Sequence, residues 1–202
     1  GGIYGTYLAD KLKRRTSPFT FLDIGANQGL YSLIAAQNPA CVHVYAFEPV
    51  SETFKTLNEN IELNRLAQKI SSIRKAISCK AGEIAIHVPN GHSGMATLER
   101  NGNDSEFSGT TETIETIASA DLEVLLADSD ALLVKIDVEG HELTVLNQLM
   151  ACEAAKKIEG VFYEVDTRWS DAASIKELLS IGGFSKFEKI GNGRHFDVMA
   201  YR

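Results

Sequence analysis

Phe21-Leu22-Asp23-Ile24-Gly25-Ala26-Asn27-Gln28-Gly29 runs from a short apolar segment into a glycine-bracketed turn, and Leu30, Leu33 and Ile34 follow at helical spacing. Strand, tight turn and amphipathic helix in that order form the opening unit of a doubly wound α/β sheet. The β-prone run begins at Thr20. Gly25 and Gly29 let the backbone turn sharply and approach a ligand with no Cβ in between, while the free N–H groups of the next helix point back at the turn. The unit reads as a nucleotide-binding turn.

A second β-prone run, 42–47, ends at Glu48-Pro49, where proline bars continuation of the strand ladder. Glu48 falls roughly 20 residues beyond the turn, the place from which a carboxylate accepts hydrogen bonds from ribose hydroxyls. The competing reading makes Glu48 a cap for a helix beginning near Ser51. The turn itself lacks the second glycine that admits a pyrophosphate, and Asn27 stands there instead. An adenosine ligand with a short charged tail and no phosphates, S-adenosylmethionine, therefore fits better than NAD or FAD.

Leu132-Leu133-Val134-Lys135-Ile136-Asp137-Val138-Glu139-Gly140-His141-Glu142 repeats the strand, acidic tip, glycine and helix pattern, with Leu143, Leu146 and Met150 on one helical stripe. Asp137 and Glu139 then emerge at the carboxyl end of a strand, where ligands of open α/β sheets collect. Glu142 reads as a complement to the helix N-terminus.

These three motifs together resemble the FkbM-type S-adenosylmethionine-dependent methyltransferases, over about residues 18–200. The run Lys135-Ile136-Asp137-Val138-Glu139-Gly140 distinguishes that family from other Rossmann-like methyltransferases. The resemblance implies a Rossmann-like, doubly wound seven-stranded sheet of the class I methyltransferase type, mostly parallel with a C-terminal antiparallel hairpin. It implies methyl transfer to a hydroxyl of a sugar or natural product, and it places Ala76 and Ile77 beside the adenine. The cofactor-binding set is then Asp23, Gly25, Ala26, Asn27 and Gly29 from the first motif, Glu48 and Pro49 from the second, and Ala76, Ile77 and Asp137. Where the family often has Leu-Asp after the 113–117 run, this chain has Ile117-Ala118, so no substrate role carries over to that position.

At 202 residues with 44% hydrophobic content, one core and one methyltransferase domain over 1–202 are expected, with 1–17 as a lead-in. A net charge of −7 argues against nucleic-acid binding, which depends on Lys and Arg neutralising phosphates. No stretch has the length of a membrane span, and the start does not resemble a signal peptide. The chain opens on Gly1-Gly2 with no initiating Met, as a piece of a longer protein would. Cys41, Cys79 and Cys152 are odd in number and widely spaced, which points to reduced thiols and a cytoplasmic setting.

Further along, Tyr4 to Arg15 is a candidate leading helix and 70–77 a third strand. The segment 79–117 reads as an inserted antiparallel element, with a strand over 83–88, a turn at Pro89-Asn90-Gly91 and a polar loop over 101–105. Residues 160–165 form a strand candidate, Ile175, Leu178 and Leu179 define a helix stopped by Gly182-Gly183, and Gly191-Asn192-Gly193 joins two β-prone runs as a terminal hairpin.

Transfer to an alcohol requires alignment, exclusion of water and removal of a proton. Candidate bases are Asp137, Glu139, Glu164, His92 and His141, and the strand tip favours Asp137 or Glu139 as the catalytic group. His43 and His87 read as packed or surface-facing strand residues, and His195 as structural. Asp137, Glu139, Glu164 and Asp166 could offer oxygens to Mg²⁺, although no metal is expected. Two further readings stand beside the enzyme: a non-catalytic adenosyl-ligand binding protein and an NAD-dependent oxidoreductase.

Overall fold

The computed structural model describes residues 4–89, 109–168 and 170–202. Helix α1 (Tyr4–Arg14) leads into strand β1 (Phe19–Ile24), helix α2 (Leu30–Gln37), β2 (Cys41–Phe47), α3 (Ser51–Leu63) and β3 (Ile70–Ile73). Short β4 (Ala76–Ile77), β5 (Gly82–Pro89) and β6 (Gly109–Ile117) precede α4 (Ser119–Leu126), β7 (Leu132–Ile136) and α5 (Glu142–Met150). A 3₁₀ turn at Glu153–Lys157 leads to β8 (Ile158–Asp166), α6 (Ala172–Ile181), β9 (Lys186–Ile190) and β10 (His195–Tyr201).

The main sheet has seven strands in the order β3-β2-β1-β7-β8-β10-β9. Neighbours from β3 to β8 pair in parallel, and β10 runs antiparallel to both β8 and β9. This is the class I methyltransferase arrangement that the sequence motifs imply. Central strands β1 and β7 are apolar over most of their length because helices cover both faces. One face packs Leu22, Ile24, Val134 and Ile136 against Leu122, Val145, Leu146 and Ile175 of α4, α5 and α6. The other packs Phe19, Phe21, Val44 and Phe162 with Leu8 and Leu12 of α1, Ala35 of α2, and Leu57 and Ile61 of α3. Among the described residues no helix is long and apolar enough to cross a membrane.

The expected third strand over 70–77 is broken. β3 ends at Ile73, and β4 leaves the main sheet to pair in parallel with Thr116 and Ile117 of β6. The charged pair Arg74-Lys75 turns the chain, with Arg74 Nη2 2.8 Å from Glu112 and Lys75 Nζ 2.9 Å from Glu115. Salt bridges to a neighbouring strand replace the apolar contacts a continuous β3 would make. The 79–117 segment is antiparallel where described: β5 and β6 pair from Gly82↔Thr116 to Pro89↔Gly109, and Ile86, Ile114 and Val50 form a small third core. The Asn90-Gly91 turn signal, His92 and the polar 101–105 loop lie outside the described residues.

Helix α6 stops at Gly182-Gly183, with Gly183 at φ +90, and the terminal hairpin follows. Its second strand starts where the parallel strands end, and this brings His195 opposite Asp166 and Asp197 opposite Glu164.

Candidate active site: two clefts joined at Asp137

The first turn is built by close packing. Gly25 has φ +75, and a Cβ there would lie 1.9 Å from the backbone oxygen of Asp137. Gly29 has φ +91, and its Cβ would meet Leu57 Cδ1 of α3 at 2.5 Å. The sequence suggests ligand approach as the reason for both glycines. The structure adds a packing reason: at Gly25 the backbone of Asp137 leaves no room for a Cβ, and at Gly29 the left-handed backbone and the tip of Leu57 disfavour one. At the facing tip, Glu139 adopts φ 50 and Gly140 φ 96, so two successive left-handed residues turn the chain between β7 and α5.

A first cleft of about 700 Å³, counting its part open to solvent, lies over the ends of β1, β2 and β7. Its apolar wall includes Ile24, Phe47, Ile77, Ile86, Ile114 and Val138, and its polar groups include Asn27, Glu48, Lys75, Asp137, Glu139 and His141. Gly25, Pro49 and Ala76 also line it. Of the residues selected from sequence, Asp23, Ala26 and Gly29 stand outside this lining.

Glu48 is 6% exposed. Its Oε2 accepts the N–H of Asn27 at 3.0 Å and its Oε1 accepts the N–H of Val50, the residue before α3, at 3.0 Å. Burial pushes its carboxyl up to about 7, against the pull of those two N–H groups. Glu48 thus ties the glycine turn to the start of α3 while facing the cleft, and its two sequence readings are compatible. Each oxygen accepts one backbone hydrogen bond and retains a lone pair.

Asp23 lies beneath the cleft, fully buried, and accepts a hydrogen bond from Ser32 Oγ at 2.7 Å. Lys135 Nζ is 3.3 Å from Asp23 Oδ1 and 3.3 Å from Asp137 Oδ2, and it donates to the carbonyl of Gly25. Burial opposes the charge on Lys135 most strongly, yet Asp137 and Asp23 together raise its pKa. Lys135 has no role in the sequence reading. Its signal is the alternation in Lys135-Ile136-Asp137, which puts the lysine and the aspartate on one sheet face.

A second cleft, of about 690 Å³ including its open part, lies beyond Asp137 and is lined by Tyr31, Lys135, Asp137, Phe162, Glu164, His195 and Asp197. Burial raises Glu164 to about 7, with the charge of Asp137 adding to the effect. His195 Nε2 and Glu164 Oε1 form a hydrogen bond that raises the histidine. His195, expected as a structural residue, therefore borders the cleft. Burial also lifts Asp197 to about 6, and Glu139 is raised by burial first and by neighbouring carboxylates second.

Carboxylate oxygens of Asp137, Glu139 and Glu164 lie within 4.8 Å of one another, a grouping that could hold a cation. Asp166 is engaged elsewhere: it pairs with Arg168, which holds its carboxyl down at about 2. Of the other candidate bases, His141 lines the first cleft at the start of α5. His43 bonds Ser71 Oγ at 2.9 Å across β2 and β3, away from both clefts.

Comparison with known proteins places the chain in a family. The methyltransferase FkbM domain matches residues 23–186. The hexuronic acid methyltransferase AglP of Haloferax volcanii is 28% identical over 158 residues, covering 78% of this chain and 60% of that protein. Methyltransferase sdnD of Sordaria araneosa is 29% identical over 102 residues, 49% of this chain and 39% of that one. The chain thus spans less than two thirds of the length of either relative. A methyltransferase FkbM from Methylobacillus flagellatus superposes with a TM-score of 0.62 at 16% identity, covering 93% of this chain and 44% of that chain. A ribosomal protein L11 methylase from Lactobacillus delbrueckii shares the fold with a TM-score of 0.56 at 17% identity, covering 100% and 80%. With a match that runs from the buried Asp23 of β1 to the first residue of β9, this chain belongs to the FkbM methyltransferase family.

Proposed function

We propose that this protein is an S-adenosylmethionine-dependent methyltransferase acting on a hydroxyl of a sugar or a natural-product-like small molecule, and that residues 1–202 form one catalytic domain. The observation that carries this reading is that Asp137 lines both clefts. A methyl donor and its acceptor must meet at one point shielded from water, and a residue common to two cavities marks such a point.

The donor set of the first cleft fits an adenosine. Glu48 has lone pairs for ribose hydroxyls, Ala76 and Ile77 with Ile86 and Ile114 supply apolar surface for a flat base, and Asn27 replaces the glycine a diphosphate would need. Bound there, S-adenosylmethionine supplies an electrophilic methyl carbon. The chain's own residues then orient the acceptor oxygen and take its proton. Asp137 or Glu139 receives it, since both sit at the tip where the clefts adjoin. Free Cys41, Cys79 and Cys152 support a cytoplasmic setting.

The test combines binding with turnover. S-adenosylhomocysteine should stabilise the protein by about 2.7 kcal/mol at a hundredfold excess over Kd, and NAD by much less. Equal thermal shifts with both ligands would remove the cofactor assignment. S-adenosylhomocysteine binding without methyl transfer to any hydroxyl acceptor would leave a binding protein in place of an enzyme.

A further inference from the structure

Asp197 is nine-tenths buried, lines the second cleft, and forms no hydrogen bond or ion pair through its carboxylate among the described residues. It stands directly opposite Glu164 across the β8–β10 pair, a placement of like charges that disfavours the sheet unless a donor sits between or beside them. A carboxylate that opens only onto a cleft and has no donor bonded to it can accept an N–H or O–H group from a molecule bound there. The donors that line the cleft, Lys135, His195 and the Tyr31 hydroxyl, make no hydrogen bond to Asp197 among the described residues. Its lysine, Lys135, has three donors and three neighbours for them: the carbonyl of Gly25, Asp23 and Asp137. Its histidine, His195, is bonded to Glu164.

We propose that the second cleft is the acceptor site, that it takes sugars or polyols offering hydroxyl or ammonium donors to Asp197, Glu164 and Asp137, and that it turns away acceptors bearing a carboxylate. The proposal rests on the methyltransferase reading above and adds the acceptor class. Three carboxylates face the cavity, and its one permanent cation is fully engaged, so an anionic acceptor would lose its hydration and meet repulsion. A polyhydroxylated acceptor meets acceptor oxygens at each carboxylate, while Tyr31 and Phe162 offer ring surface to its C–H groups. Such a charge filter would set this chain apart from the Haloferax relative, whose name specifies a hexuronic acid.

The test measures S-adenosylhomocysteine release at mildly alkaline pH with three probes: methyl glucoside, methyl glucosaminide and methyl glucuronide. The glucuronide should show kcat/KM at least about tenfold below the glucoside. Asp197→Asn removes a negative charge at constant size and should narrow that ratio several-fold, and Glu164→Gln should narrow it in the same direction. A purely structural defect would lower all three probes together and leave the ratio unchanged, because the ratio divides out the fraction of folded enzyme. Equal or better use of the glucuronide by the wild type overturns the proposal. So does a ratio unmoved in both variants, or failure of all three probes while S-adenosylhomocysteine still stabilises the protein. Absence of that stabilisation would instead overturn the cofactor reading on which the proposal rests.

Discussion

The two clefts that meet at Asp137 are built in opposite ways. The first is assembled from strand–turn–helix units that are continuous in sequence: Gly25 to Asn27, Glu48 to Val50, and Asp137 to His141. Its walls are largely apolar, and its central acid, Glu48, is held by backbone N–H groups from two neighbouring units. The second draws on Tyr31, Lys135, Phe162, Glu164, His195 and Asp197, residues from four separate elements that meet only because β10 reverses direction beside β8. Two of its acids are held by side chains, Asp137 by Lys135 and Glu164 by His195, and the third, Asp197, stands beside them across the strand pair. Local motifs make a site that can be read from a string of residues, whereas an antiparallel return makes one that cannot.

Asp137→Asn strikes the shared residue and should show the largest effect. If Asp137 takes the acceptor proton, kcat should fall about 10²–10⁴-fold while S-adenosylhomocysteine affinity stays near wild type. Loss of cofactor affinity instead would assign Asp137 to the first cleft alone. Unchanged turnover in Asp137→Asn, together with inactivity of Glu139→Gln, would move the base to Glu139.

Lys135→Met should cost about 3–5 kcal/mol in urea unfolding, because it strands the fully buried Asp23 and unpairs Asp137. A loss under about 1 kcal/mol would mean that the fold does not depend on the lysine to hold Asp23 and Asp137. Glu48→Gln should cost about 1.5–3 kcal/mol of S-adenosylhomocysteine affinity for each ribose bond weakened, and little acceptor selectivity. Glu48→Ala is the harsher probe. It leaves the N–H groups of Asn27 and Val50 without their partner and so lowers folding stability as well.

The most gradual effect, spread over several pH units, is on stability against pH. Glu48 is raised in the fold from 4.5 to about 7, so between those values the native state holds a proton that the unfolded chain has released. Its contribution is complete below 4.5 and is lost as pH rises through about 7, with a slope of at most about 1.4 kcal/mol per pH unit. Asp197 follows the same sign over a lower window, from 3.8 to about 6. Glu48→Gln should flatten the upper window and Asp197→Asn the lower. Unfolding free energies measured across that range would therefore distinguish the two clefts, and identical curves for both variants would merge them.

Much of the first cleft was legible because each of its motifs couples a strand period to a helix period across a short glycine turn. Glu48 was legible by its distance from that turn, although its bond to Val50 was open to the capping reading. The packing reason for Gly25 was not, since the backbone oxygen that a Cβ would meet belongs to Asp137, which is distant in sequence. The break between Ile73 and Ala76 was hidden for a similar reason: Arg74 and Lys75 turn the chain through Glu112 and Glu115, residues of a strand formed much later.

By itself the sequence determined the alternation of strands and helices, the parallel sheet with its terminal hairpin, and the acids at the strand tips, because periodicity, glycine turns and chain order are local properties. Only the tertiary structure decided that Lys135 bridges Asp23 and Asp137, that His195 joins Glu164, and that Asp197 faces the second cleft beside Glu164. Those are relations between strands, set by register and by the direction of β10. A side chain's charge acquires its consequence from the neighbours that register supplies.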